Sequence, residues 1–288
     1  MSKSTQAVVH PYQGQDAVLT TKHRKLRLIS PFFEKKIGLK IFEADLDTDL
    51  LGTFAGEVPR KYPPIETAIL KAKLGMEATG LSIGIASEGS IGSDQFIPFI
   101  ISDVEHIVLV DAEREIVIRE SFRSFDITAL TITVTPGQDL SDFVVKADFP
   151  NHKLIARPNF RGAFLPIKGI SSLYDLLRAV ELCGKESPDG SVIVESDLRA
   201  HNSPSRQKNI EAVASLLASR VSELCVVCHT PGWGRIGYLK GLRCTLCTNE
   251  IPEAIRQEIM GCSKCSYSES GKVVAEIGNP ATCPHCNP

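Results

Sequence analysis

The sequence predicts an α/β protein, a mixed β-sheet with flanking helices, followed by a small C-terminal domain of tandem four-cysteine zinc ribbons. Three observations predict it. Between residues 16 and 134, strand-like and helix-like segments alternate and then give way to strands in series. A hydrophobic content of 43% over 288 residues is enough to bury a core. Eight of the nine cysteines form four C-x-x-C pairs within the last 64 residues.

AVLT reads as the first strand, and Leu26, Ile29, Phe33 and Ile37 then recur at helical spacing until Gly38 offers a stop. Pro31 falls inside that pattern. It either kinks the helix, or Ser30-Pro31 forms the cap and first position of a later-starting one. LKIF is the next strand, and a second helix is expected from Pro64 to Thr79, with Ile65, Ile69, Ala72 and Met76 as its apolar stripe and Gly80 beyond its end. LSIGIA, FIPFII, a hairpin in HIVLVDAEREIVIRE, and FDITALTITV follow as strands.

Further on, KLIARPN and SVIVESD are strand-like, whereas SLYDLLRAVELC and NIEAVASLLASRV are amphipathic helices joined by turn-rich stretches. The expected division is residues 1–165 as the α/β domain, 166–220 as a helical bridge and 221–288 as the zinc-ribbon domain.

Lys and Arg total 32 against 34 Asp and Glu, a net charge of −2, so no global field recruits nucleic acid or an acidic membrane surface. The opening MSKSTQAVVHPYQGQ lacks the continuous apolar run of a secretory signal, and no apolar run is long enough to cross a bilayer, so a cytoplasmic protein is expected. Cys183, the ninth cysteine, reads as a buried apolar thiol.

The ligand pairs are Cys225/Cys228, Cys244/Cys247, Cys262/Cys265 and Cys283/Cys286. Two intervening residues let a tight turn present both sulfurs to one tetrahedral ion. The gaps 229–243 and 266–282 suit ribbons built from consecutive pairs. The expectation is therefore one structural zinc on the first two pairs and a second on the last two. An interleaved cross-brace, first pair with third and second with fourth, is the alternative. From residue 221 to the end, six Lys/Arg face six Asp/Glu, and four thiolates would add about −2 per zinc. Such an acidic module is a poor clamp for nucleic acid and better suited to a protein partner.

Local positive charge gathers in TTKHRK, directly after the first strand. A turn between strand and helix exposes backbone N–H groups to an anion, and Thr20, Thr21, Lys22, His23 and Lys25 add side-chain donors. Glu57 and Glu88 sit in Gly-flanked loops and are candidate Mg²⁺ ligands, and Ser87 and Ser90 flank Glu88 in ASEGS. Lys71 follows Glu66 by five positions, about 140° around a helix, so the two need not share a face. VESDLRAHNSPSR mixes Glu195, Asp197, Arg199, His201 and Arg206 too densely for a plain connector.

LTTKHRKLRLISPFFEKKIGLKI, GTFAGEVPRKYPPIETAILKAKLGMEATG and LSIGIASEGSIG resemble the opening strand–turn–helix, the Glu/Lys helix and the acidic strand end of the inosine triphosphate and non-canonical purine nucleoside triphosphate pyrophosphatases. That resemblance covers residues 17–92 and implies an inosine triphosphate pyrophosphatase-like fold. It puts Lys25 on phosphate and makes Glu66, Lys71 and Glu88 the catalytic residues, with Glu88 as metal ligand or base. Lys22 stands where that family usually carries asparagine, and Glu88-Gly89 replaces its commoner paired aspartates. As a whole the chain also looks like members of an uncharacterised domain-of-unknown-function family, marked by DTDLLGTFAGE, ASEGS and a closing C-x-x-C-N-P. Two functions are expected in consequence. One is a Mg²⁺-dependent hydrolase of a nucleoside triphosphate or related phosphorylated metabolite. The other is a non-catalytic nucleotide-sensing adaptor that contacts proteins through its ribbons.

Overall fold

The computed structural model describes residues 9–48, 61–160 and 164–288. The first sheet has the order β2-β1-β3-β4-β5, formed by β1 (Asp16–Thr20), β2 (Lys40–Ala44), β3 (Ile83–Ser93), β4 (Ile101–Asp111) and β5 (Ile116–Ser124). β1 runs parallel to β2 and to β3, whereas β3, β4 and β5 pair antiparallel, so the sheet is mixed. Helix α1 (Leu26–Ile37) makes the crossover from β1 to β2, and α2 (Pro64–Thr79) leads into β3.

Side chains alternate across β3 and so build the two faces. Ile83 and Ile85 join Ala17, Leu19, Ile107, Leu109 and the apolar stripes of α1 and α5 (Pro204–Ser222) in the largest core. Ala86 and Val108 on the opposite face pack under Ala68 and Ala72 of α2. α2 approaches so closely that a Cβ on Gly84 would lie 2.6 Å from Met76 Cγ, and one on Gly75 would collide with the Thr20 hydroxyl. The sheet is thus covered by α2 on one side and by α1 and α5 on the other.

Two local expectations change. The first helix begins at Leu26, with Lys25 at its N-cap and Pro31 inside it, so Ser30-Pro31 is not its start. The bond from Leu28 N–H to Lys25 O (2.9 Å) already closes a turn before the proline is reached. FIPFII is not a strand. Asp94 Oδ1 accepts N–H bonds from Phe96 and Ile97 (2.9 Å each) and winds the stretch into the β3–β4 turn, which leaves Phe96 and Phe99 exposed.

The proposed division into residues 1–165 and a bridge at 166–220 is also replaced. β6 (Thr131–Val134), β7 (Leu154–Pro158), β8 (Ile167–Ile170) and β9 (Val192–Ser196) form a second sheet, order β6-β9-β7-β8, antiparallel throughout. With α3 (Ser141–Lys146) and α4 (Leu173–Glu186) it encloses its own core, in which Cys183 is fully buried. Burial pushes that thiol up to about 11, as suits an inert core residue. The second helix expected in the bridge, α5, returns to the first sheet because its apolar face fits α1 and β5. Its first turn stays tied to the second sheet through buried His152, whose ring nitrogens lie 2.9 Å from Asp148 Oδ2 and Ser205 Oγ.

The C-terminal module is an antiparallel sheet of β10 (Gly234–Arg243), β11 (Glu250–Gly261) and β12 (Ser268–Val273). Among the described residues, no helix is long and apolar enough to cross a membrane.

Candidate functional site

β1 ends at Thr20 and pairs with β3 only through Val18↔Gly84 and Leu19↔Ile85, whereas β3 continues to Ser93. Beyond the tip of β1 lie the carboxyl ends of the parallel strands, the crevice position at which open α/β sheets bind ligands. The turn after β1 drops Lys25 into it. Lys25 is 5% exposed, and the direct partners of its ammonium are Ser87 Oγ at 2.9 Å and Ser87 O at 3.5 Å, both neutral oxygens. Burial, and next to it Arg206, pull this lysine down to about 8. Arg24 takes a left-handed φ of 52° so that the turn can make this entry.

Ser87 and Glu88 project from opposite faces of β3. On the α2 face Lys71 is ion-paired with Glu88. On the α5 face a buried polar group follows: Glu105 Oε1 accepts from Arg206 Nε at 2.5 Å, and Asp103 Oδ2 accepts from Asn209 Nδ2 at 2.8 Å. Asp103 Oδ1 and Glu105 Oε2 are buried with no hydrogen-bond partner among the described residues. Burial, with Glu105 second, pushes Asp103 up to about 7. Gly89 gives the ion pair its room, since a Cβ there would lie 2.5 Å from Arg206 Nη2 and 2.6 Å from Glu105 Oε1.

VESDLRAHNSPSR supplies the other wall. Buried Asp197 organises it by accepting from Arg199 Nε and Nη2 (2.9 and 2.6 Å), Asn202 Nδ2 (2.8 Å) and Gly169 N–H (3.0 Å). The short 3-10 helix Ala200–Asn202 then places His201 against His23, ring centroids 5.3 Å apart. Burial holds both imidazoles below the usual range, His23 at about 3, with Lys25 the next cause there and Arg199 the next at His201.

Of the residues singled out in the sequence, Lys25, Ser87 and His23 therefore lie on the α5 side of this strand end, and Glu88 with Lys71 on its α2 side. Thr20 and Thr21 are buried at its base, Thr20 packed against α2 and Thr21 Oγ1 accepting the His23 N–H at 3.2 Å. Lys22 turns outward to Asp47 at 2.9 Å, and Ser90 is exposed farther along β3. Glu66 does not join the group. It is exposed in the first turn of α2, where its charge meets the positive end of the helix. Glu57 lies outside the described residues. Sequence reading missed Asp103, Glu105 and Asn209. The signal for the two acids was their alternate positions in a largely apolar strand, SDVEHIVLV, and Asn209 on α5 had none.

The cysteines form two groups that could hold a metal ion, Cys225/Cys228/Cys262/Cys265 and Cys244/Cys247/Cys283/Cys286. The consecutive pairing is thus corrected to the interleaved one. The gap 229–243 is not a hairpin but strand β10, which carries the second pair roughly 30 Å away at about 3.3 Å per residue. β11 then returns, pairing Gly234 with Gly261, and brings the third pair to the first. Sulfur separations are 3.8 and 3.4 Å in the first group and 3.8 and 3.6 Å in the second. Four thiolates about 2.3 Å from a tetrahedral Zn²⁺ would stand about 3.8 Å apart, whereas a disulfide needs about 2.05 Å. Backbone N–H groups of Leu246, Lys264 and Cys265 point at Cys244 and Cys262 sulfurs, as metal-binding turns require.

The model of a family described as "Domain of unknown function (DUF6671)" matches residues 71–288. The chain belongs to that family. The matched residues begin at Lys71 and take in Glu88, Glu105, the 195–206 segment and both cysteine groups of the DUF6671 chain, while the TTKHRK turn precedes them. No curated protein matches the chain.

Proposed function

We propose that the crevice binds a polyphosphate and that the protein is a Mg²⁺-dependent hydrolase of a nucleoside triphosphate or related phosphorylated metabolite. The observation that carries this reading is Lys25, a buried ammonium whose direct partners are the neutral oxygens of Ser87. A buried cation without a bonded carboxylate is costly, and an anionic ligand relieves the cost. The resemblance of residues 17–92 to the inosine triphosphate pyrophosphatases supports the same assignment.

The described residues bring no three carboxylates or imidazoles together in the crevice. A Mg²⁺ there would be held by Glu88 and by the ligand's own phosphates, a common arrangement for this ion. It would offset phosphate charge and orient the attacking water. Lys71, which neutralises Glu88 in this structure, would then be available to an anionic oxygen. Lys25 positions and neutralises the phosphoryl group, and the flanking helix N-terminus adds backbone donors. In the tail, the two cysteine groups hold structural zinc, each contributing on the order of 10 kcal/mol to folding.

A second reading, a nucleotide-sensing adaptor, is favoured by the exposed Val226, Val227 and Leu246 on the metal-binding turns, which suit a protein contact. One assay separates the two. Purified zinc-loaded protein is given Mg²⁺ and a panel of nucleoside triphosphates, and released pyrophosphate and phosphate are measured. Turnover lost in Glu88→Gln supports the hydrolase, whereas thermal stabilisation by nucleotide without turnover supports the adaptor. Neither turnover nor stabilisation sinks both.

A further inference from the structure

Strand alternation gives the second sheet a face that its own core does not use. Leu154 and Ala156 of β7 and Val192 and Val194 of β9 belong to that core, so Ile155, Arg157 and Glu195 point the other way, toward the β3–β4 end of the first sheet. Between the two lies a cleft of about 380 Å³, with Ile91, Ile101, Leu130 and Ile155 as its apolar walls. That volume is at the small end of the roughly 300–1,000 Å³ of ligand sites. The fully buried Arg206–Glu105 pair, packed over Gly89, stands between Lys25 and this cleft along β3, so the cleft is a site of its own.

The charged side chains that line it fall into two pairs. Asp197 and Arg199, at the back, are engaged with each other, and Asp197 also with Asn202. Arg157 and Glu195 flank the apolar walls, Nε to Oε1 3.2 Å, with 39% and 27% of their side chains exposed, so this pair is open to a ligand. Any ligand here must meet that pair and the isoleucines together. A wholly apolar one would cover the pair without bonding it, and a singly charged one would add an unbalanced charge to a partly buried site. A small molecule with both charges on one carbon does neither. Its carboxylate meets the guanidinium, which carries five N–H donors, and its ammonium meets the second oxygen of the carboxylate, so that four charges alternate in sign.

We propose that the cleft binds a free α-amino acid with an apolar side chain, its carboxylate on Arg157, its ammonium on Glu195 and its side chain against Ile91, Ile101 and Ile155. The inference goes beyond the hydrolase reading and does not rest on it. The apolar walls favour side chains that remove more carbon surface from water, leucine, isoleucine, methionine or phenylalanine, and a charged side chain would lose its hydration there.

The test is calorimetric titration of the zinc-loaded full-length protein with L-leucine, L-isoleucine, L-methionine, L-phenylalanine, L-aspartate and L-lysine, followed by the amide and the deaminated acid of the tightest binder. At least one of the four apolar amino acids is expected to bind one-to-one. Aspartate, lysine, the amide and the deaminated acid are expected to bind at least tenfold more weakly, and these comparisons need no change to the protein. Arg157→Met and Glu195→Gln, both at partly exposed side chains, should each weaken the tightest binder at least tenfold. The inference is overturned if none of the six amino acids binds, if aspartate or lysine binds as tightly as the apolar four, if the amide or the deaminated acid matches its parent, or if either variant keeps wild-type affinity. Titration of Mg²⁺-tripolyphosphate into the same protein reads the Lys25 site separately, and its outcome bears on the crevice reading alone.

Discussion

Lys25 illustrates how burial changes the proton affinity of an ordinary side chain. Its folded value of about 8 lies below the 10.5 of an unfolded lysine. Between these two values the unfolded chain binds the extra proton, so this residue's contribution to stability rises with pH across that window. Lys25→Met is accordingly expected to melt higher than wild type at pH 7, with the difference shrinking by pH 10, as thermal melts at the two pH values would show. Asp103 behaves oppositely. Raised from 3.8 to about 7, it leaves the folded chain holding the extra proton between those values, so stability falls as pH rises through them. Asp103→Asn should match wild type near pH 4 and exceed it near pH 8 in the same measurement. Gly89→Ala should cost about 1–3 kcal/mol in denaturant unfolding, because the added methyl meets the Arg206–Glu105 pair. The charge of TTKHRK was legible in the sequence. Which of its cations is buried was not, because that depends on Ser87, 62 residues away.

Strong periodicity makes an element legible: the bounds of the second helix follow from the sequence because an alanine and isoleucine stripe, a proline at its start and a glycine beyond its end agree. FIPFII misled because its composition suits a strand, while Asp94, just before it, commits the backbone to a turn through two N–H bonds. The cysteine pairing misled for a related reason. Spacing tells which thiols share a turn, but the direction of the chain between turns is set by strand pairing, and β10 leads away from its own first turn. Metal counting by native mass spectrometry tests the correction. Cys225→Ser with Cys262→Ser should remove one zinc, and Cys225→Ser with Cys244→Ser should remove both. Consecutive pairing would give the reverse.

Across the whole molecule, α5 binds the parts together. Its first turn meets His152, just before β7, its first two turns supply Arg206 and Asn209 to the first sheet, and Arg220 near its end donates to Arg119 O and Glu120 (3.0 Å each) on β5. The first metal-binding turn seats there too, since a Cβ on Gly232 would lie 2.6 Å from Ile118 Cδ1. Losing the first metal group through Cys225→Ser/Cys262→Ser should therefore speed hydrogen exchange in β5, whereas Cys244→Ser/Cys283→Ser, at the far end of the ribbon, should not. None of this long-range assembly was legible in the sequence, where the stretch around α5 looked like a bridge, since amphipathic periodicity marks a buried face without naming what covers it. The same helix completes the crevice, and a polyphosphate held on Lys25 is checked by titrating Mg²⁺-nucleoside triphosphate into wild type and Lys25→Met. Saturable one-to-one binding is expected, weakened roughly 10- to 100-fold in the variant by the loss of one charge-assisted contact, and falling off in wild type as pH rises through about 8. Wild-type protein that binds nothing, or equal affinity in the variant, would contradict it.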